Sequence, residues 1–315
     1  MDKKSWFGKS NKSASALLEN DWRSIKWGEE DKIRKDLKEM KVRNPEVQHL
    51  RILVHGPVGA GKSSFINSID SIFQERMTSK AIAQTATERS CTKIFKVHGI
   101  RDGKTREFLP FSLCDIMGLE KGPTEGLHPD DLIKILKGQI KDGHKFNPVS
   151  SCSETEENFV SRPTLSEEIH CLLSVIPADV IGLMKDEDFT KMRQIKDQAN
   201  DMGIPQLAML TKVELACPEV LKDLKVVYKS KKIKEKMQEC SNSLGVPMNC
   251  IFPVKNYHEE IDLNTDVNAL LLSALTRILD FANDYVEDKK PPAPANRKSS
   301  SDEQHKSRLY PDLTH

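Results

Sequence analysis

The sequence predicts an α/β fold built on a doubly wound, mostly parallel sheet with one antiparallel hairpin strand. Three observations lead there. From residue 51 to residue 285 short apolar runs alternate with segments of helical period, the pattern of strands joined by crossover helices. Two of the runs, Ile169–Ile176 and Gln206–Thr211, are nearly continuous in apolar residues, as strands covered on both faces are. Between the first run and the first helix stands a glycine loop, Gly56-Pro-Val-Gly-Ala-Gly61, and open α/β sheets take their ligands at the carboxyl ends of strands.

Residues 1–20 are rich in Lys and Ser, a composition expected to be disordered. A lead-in follows over 21–45. It holds Trp22, Ile25 and Trp27, then a charged helical pattern from Glu29 to Met40 with Ile33, Leu37 and Met40 on one side. It is expected to pack on the outside of the main domain, because two exposed tryptophans are costly; a partner-binding arm is the alternative. The main domain is read as 46–286. Its first strand contains Ile52–Val54, and a helix runs from Lys62 to about Phe73 with Phe65, Ile66, Ile69 and Phe73 facing inward. Gln74–Ser90 reads as a loop. Thr92–His98 alternates like a strand, Asp102-Gly103 signals a hairpin turn, and Thr105–Leu113 returns with Pro110 interrupting it. A helix is expected over Pro129–Ile140, opening on proline. Residues 141–164 turn to Gly, Ser, Pro and Glu and read as a long irregular insertion. After the strand at 169–176 come a helix over Asp186–Met202, the strand Gln206–Thr211, one strongly basic helix over Leu221–Leu244, a strand at Cys250–Val254 and a helix over Asp266–Tyr285. The Pro-, Ser- and Lys-rich segment 287–315 is expected to be a disordered tail.

Composition narrows the function classes. The chain has 315 residues, 37% hydrophobic and 30% charged, with a net charge of +1. That balance gives no bulk electrostatic case for nucleic acid or for a membrane surface. Seven cysteines without any C-x-x-C pair argue against a disulfide framework and against a zinc site. They suit reduced thiols, and hence a cytoplasmic protein. The start Met1-Asp-Lys-Lys-Ser-Trp has no apolar signal core, and no apolar run is long enough for a membrane span.

The chemistry concentrates in Arg51-Ile-Leu-Val-His-Gly-Pro-Val-Gly-Ala-Gly-Lys-Ser-Ser64. Gly56, Gly61, Lys62 and Ser63 fit G-x-x-x-x-G-K-[ST], set between a strand and a helix as that pattern requires. The glycines, Gly59 and Gly61, let backbone N–H groups from Val58, Ala60 and the residues through Ser64 turn inward on a phosphate, and the helix adds its positive end. Lys62 would reach the β- and γ-phosphates, and the Ser63 hydroxyl would coordinate Mg²⁺. A plain strand-to-helix turn needs no Lys-Ser pair after its last glycine. Asp115 ends an apolar run, where a metal-linked carboxylate belongs, and with Gly118 it forms D-x-x-G, whose glycine N–H can meet a γ-phosphate. A strand-end turn is the bland alternative. A further metal hydroxyl would come from Thr85, Thr87 or Thr92, with Thr92 preferred where the loop meets the strand; β-propensity alone also explains a threonine there.

Base recognition is expected after Gln206–Thr211, at Thr211-Lys-Val-Glu214. A guanine-reading loop has the form N-K-x-D: the Lys212 stem covers the base and a carboxylate takes both guanine donors. Thr211 stands for the Asn and Glu214, one methylene longer, for the Asp. Val254-Lys255-Asn256, after the last strand, is a weaker candidate for backbone contact with the base. The ligand expected is GTP or GDP with Mg²⁺; a site unselective for the base is the alternative. Leu119 stands where a water-orienting glutamine sits in Ras-type enzymes, so hydrolysis is expected to be slow, or assisted by a partner or a second copy. A nucleotide-binding scaffold with little turnover is the competing reading. The Lys229–Lys236 stretch reads as a solvated helix face, since Glu235 and Glu239 are interspersed, or else as a docking patch for an acidic surface such as a microtubule, anionic lipid or RNA.

The run Arg51–Ser68, Leu113-Cys-Asp-Ile-Met-Gly-Leu119 and Trp22-Arg-Ser-Ile-Lys-Trp27 together resemble the interferon-induced protein 44 and 44-like family, over about residues 20–285. The resemblance implies a GTP-binding, septin- or dynamin-like P-loop G domain. It also implies an interferon-induced, cytoplasmic protein of antiviral and antiproliferative responses, with protein partners and self-association. By position it carries the phosphate loop onto Gly56–Ser64, the second switch onto Asp115–Gly118, the base loop onto Thr211–Glu214 and a first-switch threonine onto Thr92. Family members can carry a larger N-terminal domain, whereas about fifty residues precede the phosphate loop here, so a form without that domain is expected.

Overall fold

The computed structural model describes residues 15–81, 94–116, 127–147 and 149–290. Among them a sheet of six strands runs in the order β2-β3-β1-β4-β5-β6. The strands are β1 (Leu50–His55), β2 (Lys96–Arg101), β3 (Phe108–Asp115), β4 (Cys171–Pro177), β5 (Gln206–Thr211) and β6 (Ile251–Pro253). Every pairing is parallel except β2 with β3. This is the predicted doubly wound, mostly parallel sheet, with the hairpin strand at one edge. Every residue of β4 is buried, so helices cover both faces of the sheet. α2 (Lys62–Gln74) packs over β2 and β3 and touches α8 (Thr265–Asp288), which lies on β1 and β4. α4 (Asp186–Asp201) covers β4 and β5, with α3 (Pro129–Leu136) and α7 (Lys231–Leu244) beside it. On α2 the inward residues are Phe65, Ile66, Ile69, Ile72 and Phe73, all fully buried; each such side chain is worth about 1.5–3 kcal/mol over its exposed state.

Pro110 does not break its strand. The β2–β3 register shifts between Gly99 and Arg101, and the β1 ladder begins only at Phe111 opposite Leu50. The proline therefore sits at an irregularity, where no ladder N–H is needed. The hairpin's first strand starts at Lys96 rather than at residue 92. The helix expected over Pro129–Ile140 stops at Leu136, because Gly138 adopts a positive φ of 74° and turns the chain.

The single basic helix expected over 221–244 is a misreading. The chain forms α6 (Pro218–Lys222), a 3₁₀ turn over Leu224–Tyr228, and then α7. Two side chains make the breaks: Asp223 accepts from the Lys225 N–H at 2.9 Å, and Ser230 caps α7 by accepting from Ile233 N–H at 3.2 Å. The lysines of α7 face several ways. Lys236 pairs with Glu239 at 2.8 Å, Lys234 lies 5.6 Å from the Trp22 ring centroid, and Lys231 donates to the Ser15 carbonyl.

The lead-in lies against the sheet domain. Trp22 meets Tyr228 edge to face at 4.9 Å, and the Arg23 guanidinium, 5.2–5.7 Å from the rings of Trp22, Tyr228 and Phe252, donates to the carbonyls of Met248 and Ile251 at 2.7 Å. α1 (Glu30–Lys38) buries Leu37 and packs on α8. The insertion at 141–164 is tied into the fold: Phe95 N–H donates to His144 O, Gly143 N–H to Phe95 O, and His144, Phe146 and Cys152 are buried. Among the described residues no helix is long and apolar enough to cross a membrane.

Candidate functional site

β1 delivers the chain to Gly56 in the middle of the sheet, between β3 and β4. There φ is 150°, and a Cβ would stand 2.1 Å from the Val175 carbonyl oxygen of β4, so only glycine fits. The loop then rises to the surface at Val58 and returns at buried Ala60. Gly61, at φ 94°, caps α2 and gives its carbonyl to Phe65 N–H at 2.8 Å. Gly59, Ser63 and Ser64 remain half-exposed around the mouth of the loop.

Lys62 is buried, and its ammonium donates to the loop's own carbonyls, Gly56 O at 3.0 Å and Pro57 O at 3.1 Å. Burial lowers its pKa, opposed by the charge of Asp115. Ser63 Oγ donates to Asp115 Oδ2 at 3.3 Å. Burial pushes the Asp115 carboxyl up to about 6, against the pull of Lys62 and of that hydroxyl. Its other oxygen, Oδ1, is buried with no hydrogen-bond partner among the described residues. A buried carboxylate with an orphaned oxygen beside a hydroxyl is a pair of hard oxygen donors, which fits Mg²⁺ held directly or through its water shell.

Beneath the loop lies a pair that no motif singles out. His55 is completely buried, and its Nε2 is 2.7 Å from Ser174 Oγ on β4. Burial, with the Lys62 charge adding to it, holds the imidazole down at about 3, so it is neutral.

The predicted base loop follows β5. Thr211 is buried and donates from Oγ1 to Ala60 O at 2.6 Å, with Ile176 O at 3.2 Å, so it ties the base loop to the phosphate loop. Lys212 takes a left-handed conformation, φ 57°, and Glu214 lies in the first turn of the short α5 (Val213–Ala216). Glu214 Oε2 is buried without a partner, and burial raises the carboxyl's pKa; Lys255 opposes this, while Glu260 and Asp179 add to it. Lys255 spends its ammonium on Glu260 at 2.7 Å, which leaves its backbone as the part available to a base. Two further residues enter here. Asn256 Nδ2 donates to Gly61 O at 3.1 Å, a second tie to the phosphate loop, and Asp179 Oδ1, just beyond β4, is buried without a partner. No spacing rule points to either; only the strand order brings the ends of β4, β5 and β6 beside the loop after β1. Thr85, Thr87, Thr92, Gly118, Leu119 and Glu120 lie outside the described residues.

No family model matches the chain. It is 36% identical over 242 residues to interferon-induced protein 44 of Homo sapiens, covering 77% of this chain and 54% of that protein. Human interferon-induced protein 44-like is 35% identical over 243 residues, again 77% of this chain and 53% of the relative. Interferon-induced protein 44 of Mus musculus is 32% identical over 252 residues, 80% and 59% of the two chains. Toc33 of Arabidopsis thaliana, solved in complex with GDP and Mg²⁺, superposes with a TM-score of 0.48 at 14% identity over 82% of this chain and 93% of that one. The chain spans about half the length of the curated relatives it matches, and over that span it belongs to the interferon-induced protein 44 and 44-like family.

Proposed function

We propose that this member of the family binds a guanine nucleotide with Mg²⁺ at the loop Gly56–Ser64, hydrolyses it slowly or with assistance, and acts in the cytoplasm as part of an interferon-induced antiviral response. One observation carries the proposal. A buried Lys62 and the Ser63–Asp115 pair, with Asp115 Oδ1 orphaned, converge on a glycine loop at the head of α2. In this reading Lys62 leaves the carbonyls of Gly56 and Pro57 for the β- and γ-phosphates. Backbone N–H groups of Val58 through Ser64 and the helix end take the remaining phosphate charge. Bound Mg²⁺ supplies charge neutralisation at the γ-phosphate, held through Ser63 and Asp115, with Thr92 and Gly118 as the switch contacts. Glu214, with one buried oxygen free, takes the N–H donors of guanine, and the Lys212 stem covers the ring. Leu119 offers no hydrogen bond to an attacking water, which favours slow turnover.

The test is binding of labelled GTPγS, GDP and ATPγS to the full chain with Mg²⁺, beside Lys62→Ala. Guanine-selective binding that weakens by roughly a hundredfold in the mutant is expected, the loss of one charged contact to phosphate. Absent binding, or equal binding by the mutant, overturns the proposal.

A further inference from the structure

The insertion at 141–164 brings together three side chains that the phosphate site does not use. His144, Cys152 and Glu156 each offer a ligand atom, and those atoms all lie within 4.8 Å of one another. His144 is 3% exposed and Cys152 4%. His144 Nδ1 stands 4.0 Å from Glu156 Oε2, too long for a hydrogen bond. Cys152 Sγ lies 3.7 Å from its neighbour's carbonyl, Ser153 O, and also interacts with the Glu156 carboxylate. An imidazole, a thiol and a carboxylate thus converge on one point of the insertion.

Each is held from behind. Glu156 Oε1 accepts from Ser153 N–H at 2.7 Å, which leaves Oε2 turned to the histidine. Cys152 N–H donates to Asp131 Oδ1 at 2.7 Å, and Lys134 donates to the Cys152 carbonyl, so α3 fixes the thiol. His144 is fixed by its carbonyl, which accepts from Phe95 N–H at 2.9 Å, and by the Phe146 ring at 4.9 Å. Asp131 is fully buried, and its Oδ2 has no hydrogen-bond partner, a second acceptor beside the thiol. Support of this kind orients ligands in metal centres.

We propose that His144, Cys152 and Glu156 form a binding site for one zinc ion, which cross-links the insertion within itself where it already lies against α3 and the segment leading into β2. The donor set selects the metal: thiolate and imidazole with one carboxylate suit Zn²⁺ and not Mg²⁺ or Ca²⁺. Zinc needs ligands about 2.0–2.3 Å away, so the three groups close in by roughly 1 Å and leave a fourth position for water. On binding, the Cys152 thiol gives its proton to solvent, a sulfur–zinc bond forms, and the two anionic ligands balance the ion's charge. Burial, with Glu156 and Asp131 adding to it and Lys134 opposing, pushes the free thiol up to about 11, so without metal it is not a reactive thiolate. No C-x-x-C pair announces the site, because its ligands follow H-x₇-C-x₃-E and converge only through the fold of the loop.

The experiment uses the full chain, stripped with chelator, reloaded with Zn²⁺ and freed of excess metal. One zinc per chain is expected, and Co²⁺ in its place should give d–d bands with a sulfur-to-cobalt charge-transfer band that disappears in Cys152→Ser. Glu156 is half-exposed, so Glu156→Gln keeps the fold, and it should weaken zinc by more than about tenfold. Zinc should also protect the insertion from proteolysis in the wild type and not in Glu156→Gln. Lys62→Ala should bind zinc as the wild type does, which separates this site from the nucleotide site. Well under one zinc per chain, a charge-transfer band that survives Cys152→Ser, or zinc affinity unchanged in Glu156→Gln would each overturn the proposal.

Discussion

The phosphate loop and the base loop meet at one end of the same sheet and are tied together twice, by Thr211 to Ala60 and by Asn256 to Gly61. They are built by different means. The phosphate loop is made of backbone: three glycines in conformations other residues resist, a helix end, and one lysine folded onto carbonyls of the loop itself. Its geometry leaves no slack, since a single methyl group at Gly56 would run into β4. The base loop depends on side chains with freedom to move. Glu214 stands on a one-turn helix, Lys212 carries a long stem, and the carboxylates of Glu214 and Asp179 each keep a buried oxygen unpaired. In the proposed reading, rigid parts would hold what every nucleotide shares, and adjustable parts would choose among bases.

The sharpest way to break this contrast is Gly56→Ala. The new Cβ meets Val175 O at 2.1 Å, which forces β1 and β4 apart or the loop out of place. A loss of roughly 3 kcal/mol or more is expected from strain and overpacking together. Thermal unfolding measures it. A variant as stable as the wild type would mean that the loop is as adaptable as the base side.

Acid separates the buried histidines from the raised carboxylates by sign, Asp115 and Glu214 on one side and His55 and His170 on the other. His55 under the phosphate loop is held at about 3, and His170, whose ring links Arg51 N–H to Leu165 O, at about 4, both mainly by burial. A histidine whose folded value is depressed gives stability that is complete above its unfolded value near 6.5. That stability is lost as pH falls toward the folded one. Between pH 6.5 and 5 each contributes a loss of up to about 2 kcal/mol. Glu214 at the base end works the other way. Its pKa is raised, so the folded state holds that proton more tightly, and acid favours folding there. Urea unfolding at pH 7 and pH 5 should show His55→Asn flattening the acid loss by one proton and Glu214→Gln steepening it. Equal slopes in all three proteins would remove the contrast.

The same division explains what could be read from the sequence. The alternation of strands and helices, the glycine turn between β1 and α2, the carboxylate ending β3 and the buried run of β5 were legible because each rests on local pattern: apolar period, glycine spacing, a carboxylate at a strand end. The register shift that accommodates Pro110 was not, nor the break of the basic helix at Asp223 and Ser230. Both depend on whether a polar side chain or a neighbouring strand takes up a backbone group, which periodicity does not report. Thr211 was read as a shortened asparagine that could still bond nearby backbone, and its hydroxyl does reach Ala60 O. Asn256 was legible only as part of the weakly signalled Val254–Asn256 segment, and Asp179 and the His55–Ser174 pair were invisible as site residues. Their roles arise from strands adjacent in space and more than a hundred residues apart in sequence for His55 with Ser174.

The smallest effect, and the one that tests the adjustable half most directly, is Glu214→Asp. Glutamate carries the charge that guanine's two donors need, on a side chain one methylene too long for the usual geometry of such a loop. Its free Oε2 is already buried, so the desolvation cost is met whether or not a base is bound. Shortening the side chain draws the carboxylate back toward α5 and lets both oxygens face the donors. A gain of about tenfold in preference for GTP over ATP is expected, the worth of one better-aligned charged hydrogen bond. Binding to the phosphates should not change, because Lys62, Ser63 and Asp115 are untouched. Competition of GTP, ATP and XTP against labelled GDP reads both quantities at once. If preference falls instead, the extra methylene is already matched by the left-handed turn at Lys212, and the base loop is as closely built as the phosphate loop. If neither quantity moves, Glu214 does not reach the base, and selection would then rest with Asp179, whose Oδ1 is also buried without a partner among the described residues and whose charge acts on Glu214.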